Sequence, residues 1–120
     1  MYQRNISKAG NVVLAANVEV TIATADGIGS KSLAVGQFGC NVTSVYLTGA
    51  TSTDTKIKFY NGANLVKTLT SSLTGAGVGE PGINNTDVVV MEKNGINKIT
   101  VVSTAAKASG VNYAIGIEAN

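Results

Sequence analysis

An antiparallel β-sandwich of jelly-roll-like type, with about eight short strands in an all-β chain, is the fold this sequence predicts. Three observations predict it. Segments of alternating apolar and polar residues recur at short spacing. Asn-Gly dipeptides stand between two pairs of them, at Asn61-Gly62 and Asn94-Gly95. The connecting stretches are rich in Gly, Asn and Thr, the residues of turns. A length of 120 residues suits one domain with a core of its own.

Taken in order, Met1–Asn11 carries no apolar period and reads as an extended arm or a loosely held strand, dispensable for folding, with 12–120 as the single sandwich domain. Val12–Ala16 is apolar without alternation and reads as a short strand. Asn17–Thr24 alternates, with Val18, Val20 and Ile22 in phase. A turn over Asp26–Gly29 leads to a short strand around Lys31–Gln37. Cys40–Thr48 is rich in valine and threonine, which suit a pleated, half-buried surface. Simple alternation puts Thr43, Val45 and Leu47 on one face and Val42, Ser44 and Tyr46 on the other.

Thr55–Tyr60 sets Ile57 and Phe59 against Lys56, Lys58 and Tyr60. Asn61-Gly62 turns it into Leu65–Thr70. A two-residue loop would oppose Phe59 to Asn64; a longer one would oppose it to Val66 but also Lys58 to Lys67, a like-charge pair. Leu65, Leu69 and Leu73 share a helical spacing, yet threonine and valine fill the gaps, so a strand is favoured. Thr74–Asn85 is a glycine-rich connection holding Pro81, the single proline.

Asp87–Val102 gives the strongest local pattern. With Asn94-Gly95 as a type I′ turn, Val90 faces Ile99 and Val88 faces Val101 on one wholly apolar face. Thr104–Gly110 reads as a loop with one helical turn at Ala105–Ala108. The last strand, Val111–Glu118, alternates throughout. The expected core includes Phe59, Val88, Val90, Ile99, Val101, Ile115 and Ile117.

Several functions are excluded or disfavoured. The absence of histidine rules out Ser/His/Asp and Cys/His nucleophile chemistry. One cysteine, Cys40, cannot form an intrachain disulfide or a cysteine-based zinc site; beside Gly39 and Asn41 it reads as a buried, unreactive group. Gly77–Gly82 matches a G-x-G-x-x-G pattern, but a valine-rich strand follows where a dinucleotide site needs a helix. The seven carboxylates show no local pairing of the kind a glycosidase uses. Calcium loops are missing too. No enzymatic activity, cofactor or metal is expected.

A net charge of +2 with scattered lysines gives no basic stripe for nucleic acid. No apolar run approaches the roughly 18 residues of a membrane helix, and the polar N-terminus is no signal peptide. Three Asn-X-Ser/Thr sequons, at Asn5, Asn41 and Asn84, are a product of composition. The partner-contact candidates are Tyr2 and Arg4 in the arm, with Tyr46 and Tyr60 on the more polar faces of their strands. Those tyrosines, with Tyr113, could instead form a sugar-stacking platform.

The polar arm Met1–Asn11, the hairpins at Asn61-Gly62 and Asn94-Gly95, and the terminal strand GVNYAIGIEAN resemble the small accessory virion proteins of tailed bacteriophages, of the capsid decoration or cement type. This resemblance implies a non-enzymatic structural protein, made in the host cytoplasm and carried in the virion. It would bind the major capsid protein lattice as a homo-oligomer, expected to be a trimer. The other expectation is a carbohydrate-binding β-sandwich module, which tyrosines clustered on one face would favour.

Overall fold

The computed structural model describes residues 4–24, 40–50, 53–72, 82–85, 90–92, 96 and 98–119. Nine strands lie among them: β1 (Arg4–Leu14), β2 (Val20–Thr24), β3 (Cys40–Thr48), β4 (Thr55–Asn61), β5 (Asn64–Thr70), β6 (Ile83–Asn85), β7 (Val90–Glu92), β8 (Lys98–Ser103) and β9 (Lys107–Ala119). No helix occurs among the described residues, so none is long and apolar enough to cross a membrane.

All pairings are antiparallel and make two sheets, ordered β1-β9-β3-β6 and β2-β8-β4-β5. β9 occupies one side of β3 along its length. β6 and β7 therefore share the other side, β6 against Val45–Leu47 and β7 against Cys40–Val42. Counting them as one interrupted strand gives eight strands in jelly-roll order, with the first and last side by side and every successive connection but the β4–β5 hairpin passing between the sheets.

The apolar inner faces meet in one core. Leu14, Val42, Val45, Leu47, Val111, Ile115 and Ile117 come from the first sheet, and Ile22, Ile57, Phe59, Ile99 and Val101 from the second. Phe59, Ile99, Val101, Ile115 and Ile117 are each at most 1% exposed, as expected. Val88 lies outside the described residues, and of Val90 only its backbone place in β7 is described.

The Asp87–Val102 hairpin is not formed as a ladder. Val90 pairs with Val42 in the first sheet. Ile99 pairs with Ala23 and Phe59 in the second. β8 has β2 on one side and β4 on the other, so no edge remains for β7. The turn residues Asn94-Gly95 lie outside the described residues, as do the Asp26–Gly29 turn and the Lys31–Gln37 strand.

Other boundaries shift for local reasons. From Arg4 onward the N-terminal segment is paired with β9, Arg4 opposite Ala119 through Val12 opposite Val111. Arg4–Asn11 and Val12–Leu14 are thus one strand, and a truncation to Gly10 would strip most of it from the sheet. Asn17 takes a positive φ of 61°, a turn conformation asparagine tolerates, so β2 starts only at Val20. Thr104–Ala106 bends without a helical turn, and β9 begins already at Lys107.

Of the four register shifts in the described ladders, two bear directly on the expected strand faces and pairings of β3 and the β4–β5 hairpin. Register between β3 and β9 shifts between Val42 and Ser44, so Val42 joins Val45 and Leu47 in the core. The β4–β5 ladder shifts between Phe59 and Tyr60. Asn61 faces Asn64 across the Gly62-Ala63 turn, while Phe59 faces Lys67 and Lys58 faces Thr68. The bulge keeps Lys58 off Lys67, avoiding the like-charge pair that an unbroken longer-loop register would impose.

Candidate functional site

Alternation along β1, β9 and β3 points one set of side chains away from the core. Two cross-strand rows result. Ser7 lies opposite Gly116, which lies opposite Ser44; Ala9, Ala114, Tyr46 and Asn84 follow one another across the four strands. Small residues on the central strand leave the floor low, while the Tyr46 ring stands up, 41% exposed. The result is an open groove of about 280 Å³ lined by Ser7, Ser44, Tyr46, Asn84, Asn85 and Gly116, among others. Its lining carries no charged group.

The outer face of the second sheet is chemically different. There the Glu19 carboxylate accepts hydrogen bonds from the Tyr60 hydroxyl and the Thr100 hydroxyl through the same oxygen, both at 2.6 Å. Lys58 Nζ is 3.7 Å from its other oxygen, and Lys98 Nζ sits 4.3 Å from the centre of the Tyr60 ring. The Thr100 bond, then the Tyr60 bond, hold the Glu19 carboxyl below its ordinary value, with Lys58 and Lys98 assisting and partial burial opposing. The same bond to Glu19 pushes the Tyr60 phenol up.

A third surface lies at the end where β1 turns into β2 and β8 into β9. The Asn17 amide donates to the Ser103 carbonyl at 2.6 Å, setting the two loops side by side. Val13 is 61% and Val18 51% exposed. Ala15, Ala16, Ala105 and Ala106 are exposed beside them. Beneath these loops Thr55, Ser71 and Ser103 are buried and bonded, Thr55 Oγ1 reaching Asp54 at 2.8 Å and Ser103 at 3.4 Å.

Tyr46 and Tyr60 therefore stand on opposite outer faces and form no shared platform. Tyr113 points inward and packs on the core. Arg4 opens β1, its side chain outside the described residues, and Tyr2 lies wholly outside them. Neither groove nor apolar end was legible in the sequence, because each joins residues from distant strands.

Among the described residues no three His, Cys, Asp or Glu side chains gather as a metal site. Of the G-x-G-x-x-G segment only Gly82 is described. It leads directly into strand β6 rather than a helix, and its amide donates to the Leu47 carbonyl.

The fold and its surfaces define a jelly-roll domain of the all-β class. No family model matches the chain, and no curated protein matches it. Among solved structures it is similar to a chain from the Bacillus endospore appendages, described as forming a novel family of disulfide-linked pili. The two share 14% identity, with a TM-score of 0.56, over 99% of this chain and 87% of that one. A likeness at that identity establishes a common fold.

Proposed function

We propose that this chain is a non-enzymatic structural subunit that attaches to a protein lattice, in the manner of a capsid decoration or cement protein. The observation that carries the reading is the exposed apolar end, where Val13 near the end of β1 is exposed along with Ala15, Ala16, Val18, Ala105 and Ala106 on the two loops. An exposed apolar cluster of this kind marks an association surface. Its rigid footing, Asn17 bonded to Ser103 over a buried polar layer, lets it bind without ordering a loop first. A trimer would present three such ends to a local threefold position and gain avidity from simultaneous contact. The fold shared with a pilus-forming protein agrees with a structural role.

The test is co-sedimentation with undecorated capsids. Full-length protein should sediment with them at micromolar concentration, and the Val13→Ser/Val18→Ser variant should not. Both side chains are exposed, so the variant should melt like the parent. Because the contact is apolar, attachment should change little between low and moderate salt. Failure of the parent to co-sediment would reject the decoration role.

A further inference from the structure

We propose that the groove on the outer face of the first sheet is a binding site for a neutral glycan chain, with Tyr46 as its stacking platform. This goes beyond lattice attachment and uses a different surface. Three observations meet here. The first is shape: an open trough of about 280 Å³ runs across β1, β9, β3 and β6, close to the lower end of small-ligand sites, roughly 300–1,000 Å³. Being open, it suits a chain passing over the sheet rather than an enclosed small molecule.

The second is chemistry. Sugars present an apolar ring face and a rim of hydroxyls, and the groove offers a match to each. Tyr46 supplies an exposed ring. Ser7, Ser44, Asn84 and Asn85 supply hydroxyls and carboxamides, groups that both donate and accept. The lining carries no charge, which fits a neutral sugar and offers nothing to a phosphate, a sulfate or an acidic sugar.

The third is commitment. Every buried side-chain nitrogen and oxygen among the described residues has a partner, and the Tyr60 hydroxyl is given over to Glu19. The polar groups of the groove, by contrast, take no part in the side-chain hydrogen bonds of the described residues. Gly116 sets the depth. A Cβ there would strike the Ser44 hydroxyl, so any larger residue raises the floor and pushes Ser44 aside. Tyr46 and Gly116 are therefore the two positions on which binding depends most.

The experiment is an NMR titration of the isotope-labelled full chain with maltohexaose, cellohexaose, chitohexaose and a mannan oligosaccharide, each to about 10 mM, beyond the weak end of useful affinity. Heparin hexasaccharide serves as the charged comparison. At least one neutral probe should shift the amides of Ser44, Tyr46, Asn84 and Gly116 together, and heparin should not. Tyr46→Ala should weaken that binding by about tenfold or more, the loss expected of an anchoring aromatic. Gly116→Val should abolish it, with a melting curve confirming that the variant is folded. Tyr60→Phe should bind as the parent does.

The proposal is overturned if no neutral probe shifts these amides, if heparin shifts them more strongly, or if Tyr46→Ala binds with unchanged affinity. Capsid attachment should be untouched by Tyr46→Ala, so the failure of one reading leaves the other standing.

Discussion

Lys107 Nζ lies 2.6 Å from Asp54 Oδ2, joining the first residue of β9 in one sheet to the residue before β4 in the other. The side chains are only 10% and 14% exposed. Thr55 Oγ1 bonds the other carboxylate oxygen at 2.8 Å, and the Thr104 amide donates to the Asp54 carbonyl at 2.9 Å. A buried pair of this kind adds little over an apolar pair of similar size, but breaking it leaves one charge stranded. Asp54→Ala or Lys107→Ala should each cost about 3 kcal/mol in urea unfolding. The double variant Asp54→Ala/Lys107→Met should recover part of that loss. A double-variant loss equal to the sum of the two single losses would show that the pairing itself is immaterial.

The Glu19 cluster makes stability depend on pH with a definite sign. Its carboxyl pKa in the fold lies below the ordinary value, owing first to the Thr100 hydroxyl and then to the Tyr60 hydroxyl. Such a group contributes stability that is complete above the unfolded pKa and is lost as pH falls through the folded one. Glu19→Gln should therefore flatten the stability profile below pH of about 4, where ordinary carboxylates titrate. The Tyr60 phenol is raised by its bond to Glu19. Its contribution is complete below the unfolded pKa of about 10 and is lost above it. In a spectrophotometric titration, Tyr60→Phe should remove tyrosinate absorbance from the high-pH end of the curve; removal of it at the ordinary value of about 10 would dismiss the bond.

How far the sequence reveals this molecule depends on how local each feature is. β9 was legible because Val111, Ile115 and Ile117 alternate without interruption and all three are buried. β3 was half legible: its extent is right, but the bulge at Thr43 inverts the face of Val42, and nothing near Thr43 announces it. Asn94-Gly95, which lies outside the described residues, is a signal for a tight turn in the sequence but carries no information on which sheet each flanking strand joins. Turn chemistry fixes a local geometry, whereas β7 and β8 are placed by β3 on one side and by β2 and β4 on the other. The surfaces were least legible. Ser44 meets Gly116, and Asp54 meets Lys107, only once the jelly roll has closed.

Gly110 illustrates a position where backbone and packing constraints coincide. Its φ is +80°, and a Cβ would collide with the Asn11 carboxamide, which bonds Asn112 at 2.9 Å across the strand pair. Gly62, in the β4–β5 turn, also has a positive φ of 62°, but a Cβ there would meet nothing within 4 Å. Gly62→Ala should thus cost the left-handed penalty alone, roughly 1–2 kcal/mol. Gly110→Ala should cost more, because Asn11 must also move. Thermal denaturation of the two variants compares them directly, and equal losses would remove Asn11 from the account.

Phe59 is the largest of the fully buried side chains, at 0% exposure, on the strand between β8 and β5. Ile99 lies opposite it on β8 and Lys67 on β5, where Val66, the extra residue of the bulge, packs against the core. Truncation to alanine removes the ring and leaves a cavity that flanking strands, held by their ladders, cannot close. Phe59→Ala should cost about 3–5 kcal/mol, a large part of the 5–15 kcal/mol typical of a small domain. The melting temperature should fall on the order of ten degrees or more. Leu65→Ala, at a site 50% exposed on β5, should change stability by about 0.5 kcal/mol or less. If the two variants melt together, the second sheet does not depend on Phe59 for its core.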